Sequence, residues 1–166
     1  MMHKILESVA NVAILVTCLA IGATLIRNHS VPQHLPDRSA HGIHVGEQVP
    51  LSAVDWKAHR KTLILALSTT CQFCTESAPL YKMIAEATTA KGGIEILAVF
   101  PQPVEVSRKY LSDLGVDIRD IRQARLSELK VRATPTIVLA DASGIVERVW
   151  VGKVSNAEED ELRTLK

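Results

Sequence analysis

The chain has 166 residues, 47% of them hydrophobic, with 19 Lys and Arg against 18 Asp and Glu for a net charge of +1. So even a balance leaves no electrostatic footprint for nucleic acid or for an anionic lipid surface. The length accommodates one ordinary domain and an appendage, and no internal repeat or low-complexity tract interrupts it.

Residues 1–27 form the appendage. Val9 to Ile26 carries no charge and is mostly Val, Ala, Ile and Leu. These residues, rising about 1.5 Å each, span roughly 27 Å, close to the hydrocarbon thickness of a bilayer. The pattern predicts an N-terminal transmembrane helix. Asn11 and Thr17 interrupt it, and Thr17 can bond back to its own helix. A cleaved signal sequence is the alternative, although Ala23-Thr24-Leu25-Ile26-Arg27 lacks a small-x-small cleavage site. Cys18 reads as an inert membrane-embedded residue. Lys4 precedes the span and Arg27 and Arg38 follow it, so flanking charge does not set its orientation. Residues 28–45 read as a linker, with Pro32, Pro36, Gly42 and His29, His34, His41 and His44 but no apolar period.

Residues 46–166 make the folded domain. Thr62 to Ser68 is apolar without alternation, the mark of a strand buried on both faces. Gln72 to about Ala90 has helical spacing, through Tyr81, Ile84, Ala85 and Thr88, and Gly92-Gly93 end it. Pro79 inside that helix bends it. Ile94 to Phe100 is a second buried strand. Val104 to Leu114 is a helix, with Val106, Tyr110, Leu111 and Leu114 on one face and Gly115 as its stop. Val116, Ile118 and Ile121 suggest a short third strand, and Ala124 to Val131 a helical turn. Thr136 to Ala140 and Ile145 to Val151 are strands of a hairpin around Asp141-Ala142-Ser143-Gly144. Ser155 to Leu165 closes the chain as a helix, with Ser155 and Glu158 spaced as a capping box. Strands alternating with helices, then a hairpin and a last helix, predict an α/β domain: a mixed central sheet with helices on both faces.

Cys71-Gln72-Phe73-Cys74 lies where the first strand passes into the first helix. Two thiols three positions apart can close a small disulfide and reopen it. A helix N-terminus presents unpaired N–H groups and a partial positive charge, which favour thiolate over thiol. Cys71 is the expected attacking thiol and Cys74 the one that completes the exchange.

These residues resemble the thioredoxin-like superfamily, in particular its membrane-anchored extracytoplasmic TlpA/ResA-type thiol–disulfide oxidoreductases. The likeness rests on three matches, in order: the Cys71-Gln72-Phe73-Cys74 junction, Pro79 five residues after the second cysteine, and Thr134-Pro135-Thr136 opening an apolar strand. Lys91 to Val116 is similar to the strand–helix unit that this branch inserts. The resemblance implies a thioredoxin-like fold and a cis bond before Pro135. It implies catalysis by Cys71 and Cys74 through a redox-active disulfide with no other cofactor. Thr134, Pro135, Gln72 and Phe73 are the expected substrate-binding residues, with Thr134 presenting backbone groups to an extended substrate segment. Further implications are protein disulfide or dithiol partners, a membrane-borne electron donor, and a bacterial inner-membrane location with the domain outside the cytoplasm. Reduction of apocytochrome haem-binding cysteines or of a partner's metal-site cysteines would fit the branch. The chain departs from the pattern at Thr70, where Trp is usual, and at Leu65, where many members carry a buried acid. Glu76 reads as a solvated helix residue rather than a replacement for that acid.

Other classes compete. His41 and His44 with the two cysteines could ligate zinc or copper, but nothing in a linker fixes those histidines near the dithiol. A peroxidatic site lacks its Pro-x-x-x-Thr-x-x-Cys frame. A noncatalytic binding module would use the fold alone.

Overall fold

The computed structural model describes residues 42–52 and 54–165. The predicted membrane helix and most of the linker lie outside them. Among the described residues no helix is long and apolar enough to cross a membrane.

Five strands form one sheet: β1 Lys61–Ala66, β2 Ile94–Phe100, β3 Asp120–Gln123, β4 Thr136–Asp141 and β5 Val146–Val151, in the order β3-β2-β1-β4-β5. β1 and β2 pair in parallel, as do β2 and β3. β4 runs antiparallel to β1 and to β5. β1 is central and buried on both faces, which is why Leu63 to Ala66 show no polar alternation.

The register positions the site. Ala66 lies opposite Val99 on one side and Thr136 on the other, and Thr136 lies opposite Val151. The loops after β1 and β2, the Thr134-Pro135 approach to β4 and the exit from β5 therefore converge at one end of the sheet.

The helices are α1 Gln72–Glu76, α2 Ala78–Lys91, α3 Val104–Asp113 and α4 Asn156–Thr164. Their buried apolar residues, among them Cys74, Tyr81, Ile84, Leu111 and Leu162, join the core on one face of the sheet. The expectation of helices on both faces is corrected here. The other core, around Ile64, Leu97 and Val138, is closed by Ile43, Val49, Leu129 and Val131 from irregular segments, with a short 3₁₀ turn at Trp56–Ala58 beside it. Gly144 in the β4–β5 turn has φ +76°, and a Cβ there would come within 2.8 Å of the Trp56 ring. That close approach admits only glycine.

Four sequence expectations need adjustment. The helix after Cys71 is two helices: Ser77 separates them, and Pro79 sits at the start of α2, where its missing N–H costs nothing. Val106 is exposed, and fully buried Ser107 takes its place on the inner face of α3, its hydroxyl bonded to Pro103 O at 3.0 Å. Val116 and Ile118 are buried but precede β3 rather than forming it. Residues 126–130 are turns, with Lys130 at φ 56°. The Ser155 and Glu158 pairing is present: Glu158 Oε2 accepts from the Ser155 N–H at 2.6 Å and from its hydroxyl at 2.8 Å.

Candidate active site

Cys71 caps α1. Its backbone is extended (φ −91°, ψ 112°), and its Sγ accepts from the Cys74 N–H at 3.2 Å. The same N–H reaches Cys71 O at 3.1 Å, so the donor is shared between sulfur and carbonyl. On its other side the Cys71 thiol donates to Thr134 O at 3.2 Å. The Thr134–Pro135 bond is cis, and Pro135 O accepts from the Gly152 N–H at 2.7 Å. Cys71, Cys74, Thr134 and Pro135 therefore come together as expected. Gln72 and Phe73 lie on the outer side of α1: Phe73 is 56% exposed, and the Gln72 amide donates to Glu76 at 2.9 Å.

The two thiols are both free, and their surroundings pull them apart. Cys71 is half-buried and Cys74 is fully buried. Burial works against ionising Cys71. Hydrogen bonding from Cys74 and the Thr134 side chain, with the backbone N–H groups of Cys74 and Phe73, outweighs it and sets the thiol below its ordinary range. Cys74 is pushed up to about 12, first by burial and then by its hydrogen bond with Cys71. A short span of backbone thus gives one thiol surroundings that favour the thiolate and its neighbour surroundings that disfavour it.

The loop before Cys71 is held by a side chain that no sequence motif singled out. The Gln102 amide donates to Ser68 Oγ at 3.0 Å, and its carbonyl accepts from the Thr69 N–H at 3.4 Å. Thr70 bonds Ser68 Oγ through its own hydroxyl at 3.1 Å. Gln102 follows β2 directly, at the end of the parallel strands where α/β sheets place ligands, which was the available signal. From α3, Tyr110 reaches Thr75 Oγ1 at 3.0 Å and packs edge-on to Phe100.

Leu65, at the place expected of an acid, is fully buried in the same cluster as Cys74 and Tyr81. Glu76 faces outward, with its carboxylate 3.6 Å from Lys153. His41 lies outside the described residues. His44 precedes Gly46, whose N–H bonds Val146 O at 2.8 Å, so it sits at the far end of β5 from Pro135. Among the described residues no group of three or more His, Cys, Asp and Glu is placed to hold a metal ion.

Comparison with solved structures gives the architecture its name. A thiol:disulfide interchange protein from Chlorobium tepidum, assigned as DsbE, aligns with a TM-score of 0.60 and 18% identity over 73% of this chain and 94% of that one. The thioredoxin domain of a thiol-disulfide oxidoreductase from Bacteroides vulgatus aligns with a TM-score of 0.58 and 16% identity, over 72% and 95%. This chain has the thioredoxin-like fold. StoA from Bacillus subtilis aligns as well, with a TM-score of 0.51 and 16% identity over 62% and 81%. No family model and no curated protein matches the sequence. Within the thioredoxin-like fold of this chain, the strand–helix unit β2–α3 supplies both Gln102 and Tyr110 to the dithiol end.

Proposed function

We propose that the protein is a thiol–disulfide oxidoreductase in which Cys71 attacks and Cys74 resolves. One observation carries the reading: half-exposed Cys71 caps α1, its Sγ accepting from the Cys74 N–H at 3.2 Å beside the cis Thr134–Pro135 bond, while Cys74 one turn on is fully buried. Cys71 thiolate attacks one sulfur of a substrate disulfide. A Cys71–substrate bond forms, and the electron pair leaves on the other substrate sulfur, which takes a proton from water. Cys74 then loses its proton to solvent base and attacks Cys71 Sγ. The Cys71–Cys74 disulfide forms, and the second substrate sulfur leaves as thiol. The substrate gains two electrons and the protein dithiol loses them.

Thr134 and Pro135 offer a backbone edge beside Cys71, and exposed Phe73 offers an apolar contact to the incoming segment. We extend the reading to a membrane-anchored reductase outside the cytoplasm, fed by a membrane-borne donor. Its support is the uncharged run Val9 to Ile26, together with the fold shared with proteins described as thiol:disulfide interchange proteins.

The test uses the full chain with Cys18→Ser, so that two thiols remain. Cys71→Ser abolishes exchange with a protein disulfide, while Cys74→Ser accumulates a mixed disulfide on nonreducing gels. Equal activity of the two variants overturns the division of roles.

A further inference from the structure

Tyr81 is a buried phenol that the exchange described above does not use. Its side chain is fully buried, and its hydroxyl has no hydrogen-bond partner. A phenylalanine would fill the same space without that desolvation penalty, so an orphaned hydroxyl here calls for a cause.

Its position supplies one. The Ser77 N–H bonds Phe73 O and the Tyr81 N–H bonds Ser77 O, so helical bonding crosses the α1–α2 junction. Tyr81 follows Cys74 by seven residues, about two turns, and therefore shares its face. Long helical side chains lean toward the N-terminus, which carries the Tyr81 ring back over Ser77 toward Cys74. Electrostatics agree with this placement. The phenol is held above its ordinary range first by burial and then by the charge of a Cys74 thiolate; the nearby Ser77 side chain pulls the other way, although its hydroxyl does not stand in hydrogen-bond geometry to the phenol. The titratable groups around the two are Cys71 and, from α3, Tyr110, whose hydroxyl is already engaged with Thr75. Leu65 brings no carboxylate to this pocket.

We infer that Tyr81 is a positioning residue whose hydroxyl donates a hydrogen bond to Cys74 Sγ as that sulfur turns to thiolate and attacks the mixed disulfide. The inference rests on the oxidoreductase reading. In the dithiol state Cys74 Sγ does not stand in hydrogen-bond geometry to the phenol, and a neutral thiol offers little to draw it there, so the phenol stays unpaired. When Cys74 ionises, the charge arises in a largely desolvated site, where a single aimed donor counts for most. No proton passes to or from Tyr81. The Cys74 proton leaves to solvent base, and the phenol only lowers the cost of its leaving.

The experiment separates the two thiols by time. Reduced full-length protein carrying Cys18→Ser is mixed with 5,5′-dithiobis(2-nitrobenzoate). Attack by Cys71 releases the first thionitrobenzoate, and attack by Cys74 on the resulting mixed disulfide releases the second. In Tyr81→Phe the first step keeps its rate, while the second slows by about tenfold or more, the scale of a hydrogen bond to a charged group. The rising limb of its pH profile moves to higher pH. Fluorotyrosine placed at position 81 is a stronger donor and speeds the second step, which covers the case of a phenylalanine variant that folds poorly. An unchanged second step in both substituted proteins overturns the inference. A wild-type protein that releases no second equivalent overturns the oxidoreductase reading instead.

Discussion

At the C-terminal ends of β1 and β2 the chain gathers Cys71, Cys74, Gln102, Thr134 and Pro135. At the opposite ends of the same strands a cavity of about 390 Å³ opens, lined among others by His59, Gly92, Gly93, Glu95, Asp117 and Arg119. The cavity is roomy and carries charge of both signs, yet its groups face water. His59 and Glu95 lie 3.8 Å apart, and both are about 40% exposed. Exposed pairs of this kind contribute little and bias no neighbour. The dithiol end is more tightly controlled. Cys71, Ser68, Thr70 and Gln102 there each answer to a named partner, and burial makes the difference between Cys71 and Cys74 large. Desolvation and aimed donors, rather than open volume, distinguish a reactive place on this sheet.

Raising the pH sharpens the contrast most. The Cys74 thiol is about 12 in the fold and lower in the unfolded chain, so the folded state resists losing that proton. The stability this neutral thiol contributes is complete below the ordinary cysteine range and is lost as pH rises toward 12. The loss is on the order of a few kcal/mol. Chemical denaturation of the reduced protein from pH 8 upward should show it, and the oxidised protein should not. Matching slopes for the two forms break the assignment of Cys74 as a buried neutral thiol.

A smaller effect follows from side-chain deletion at each end. Gln102→Ala frees Ser68 Oγ and the Thr69 N–H, costing about 1 kcal/mol of stability. The loop that leads into Cys71 loosens, and the disulfide-exchange rate falls several-fold. His59→Ala, at the far end, leaves both stability and exchange rate within error. Equal responses to the two deletions would erase the distinction between the ends.

Much of this was legible in the residues. Continuous apolar runs gave β1, β2 and β4, because strands covered on both faces need no alternation. The Asp141-Gly144 turn and the Ser155 cap carry local chemistry that needs no partner from elsewhere. Cys71, Cys74, Thr134 and Pro135 were found by spacing and resemblance together. What escaped depends on which distant segments meet. Gln102 is an ordinary polar residue until the parallel register sets it beside Ser68. Tyr81 read as one more apolar position on a helix face, since periodicity cannot report that its hydroxyl lacks a partner. The second face of the sheet was assigned helices because helix cover is the common solution. The residues at 124–131 close it with turns instead, Leu129 and Val131 joining Ile43 and Val49 as its apolar cover.

The most direct test is the pH dependence of alkylation at each cysteine in the reduced Cys18→Ser protein, read by mass spectrometry. Cys71 is expected to react faster than free cysteine at neutral pH, with a midpoint below about 8.5, while Cys74 stays protected until the protein unfolds. A Cys71 that alkylates no faster than free cysteine, or a Cys74 that reacts alongside it, would contradict the account.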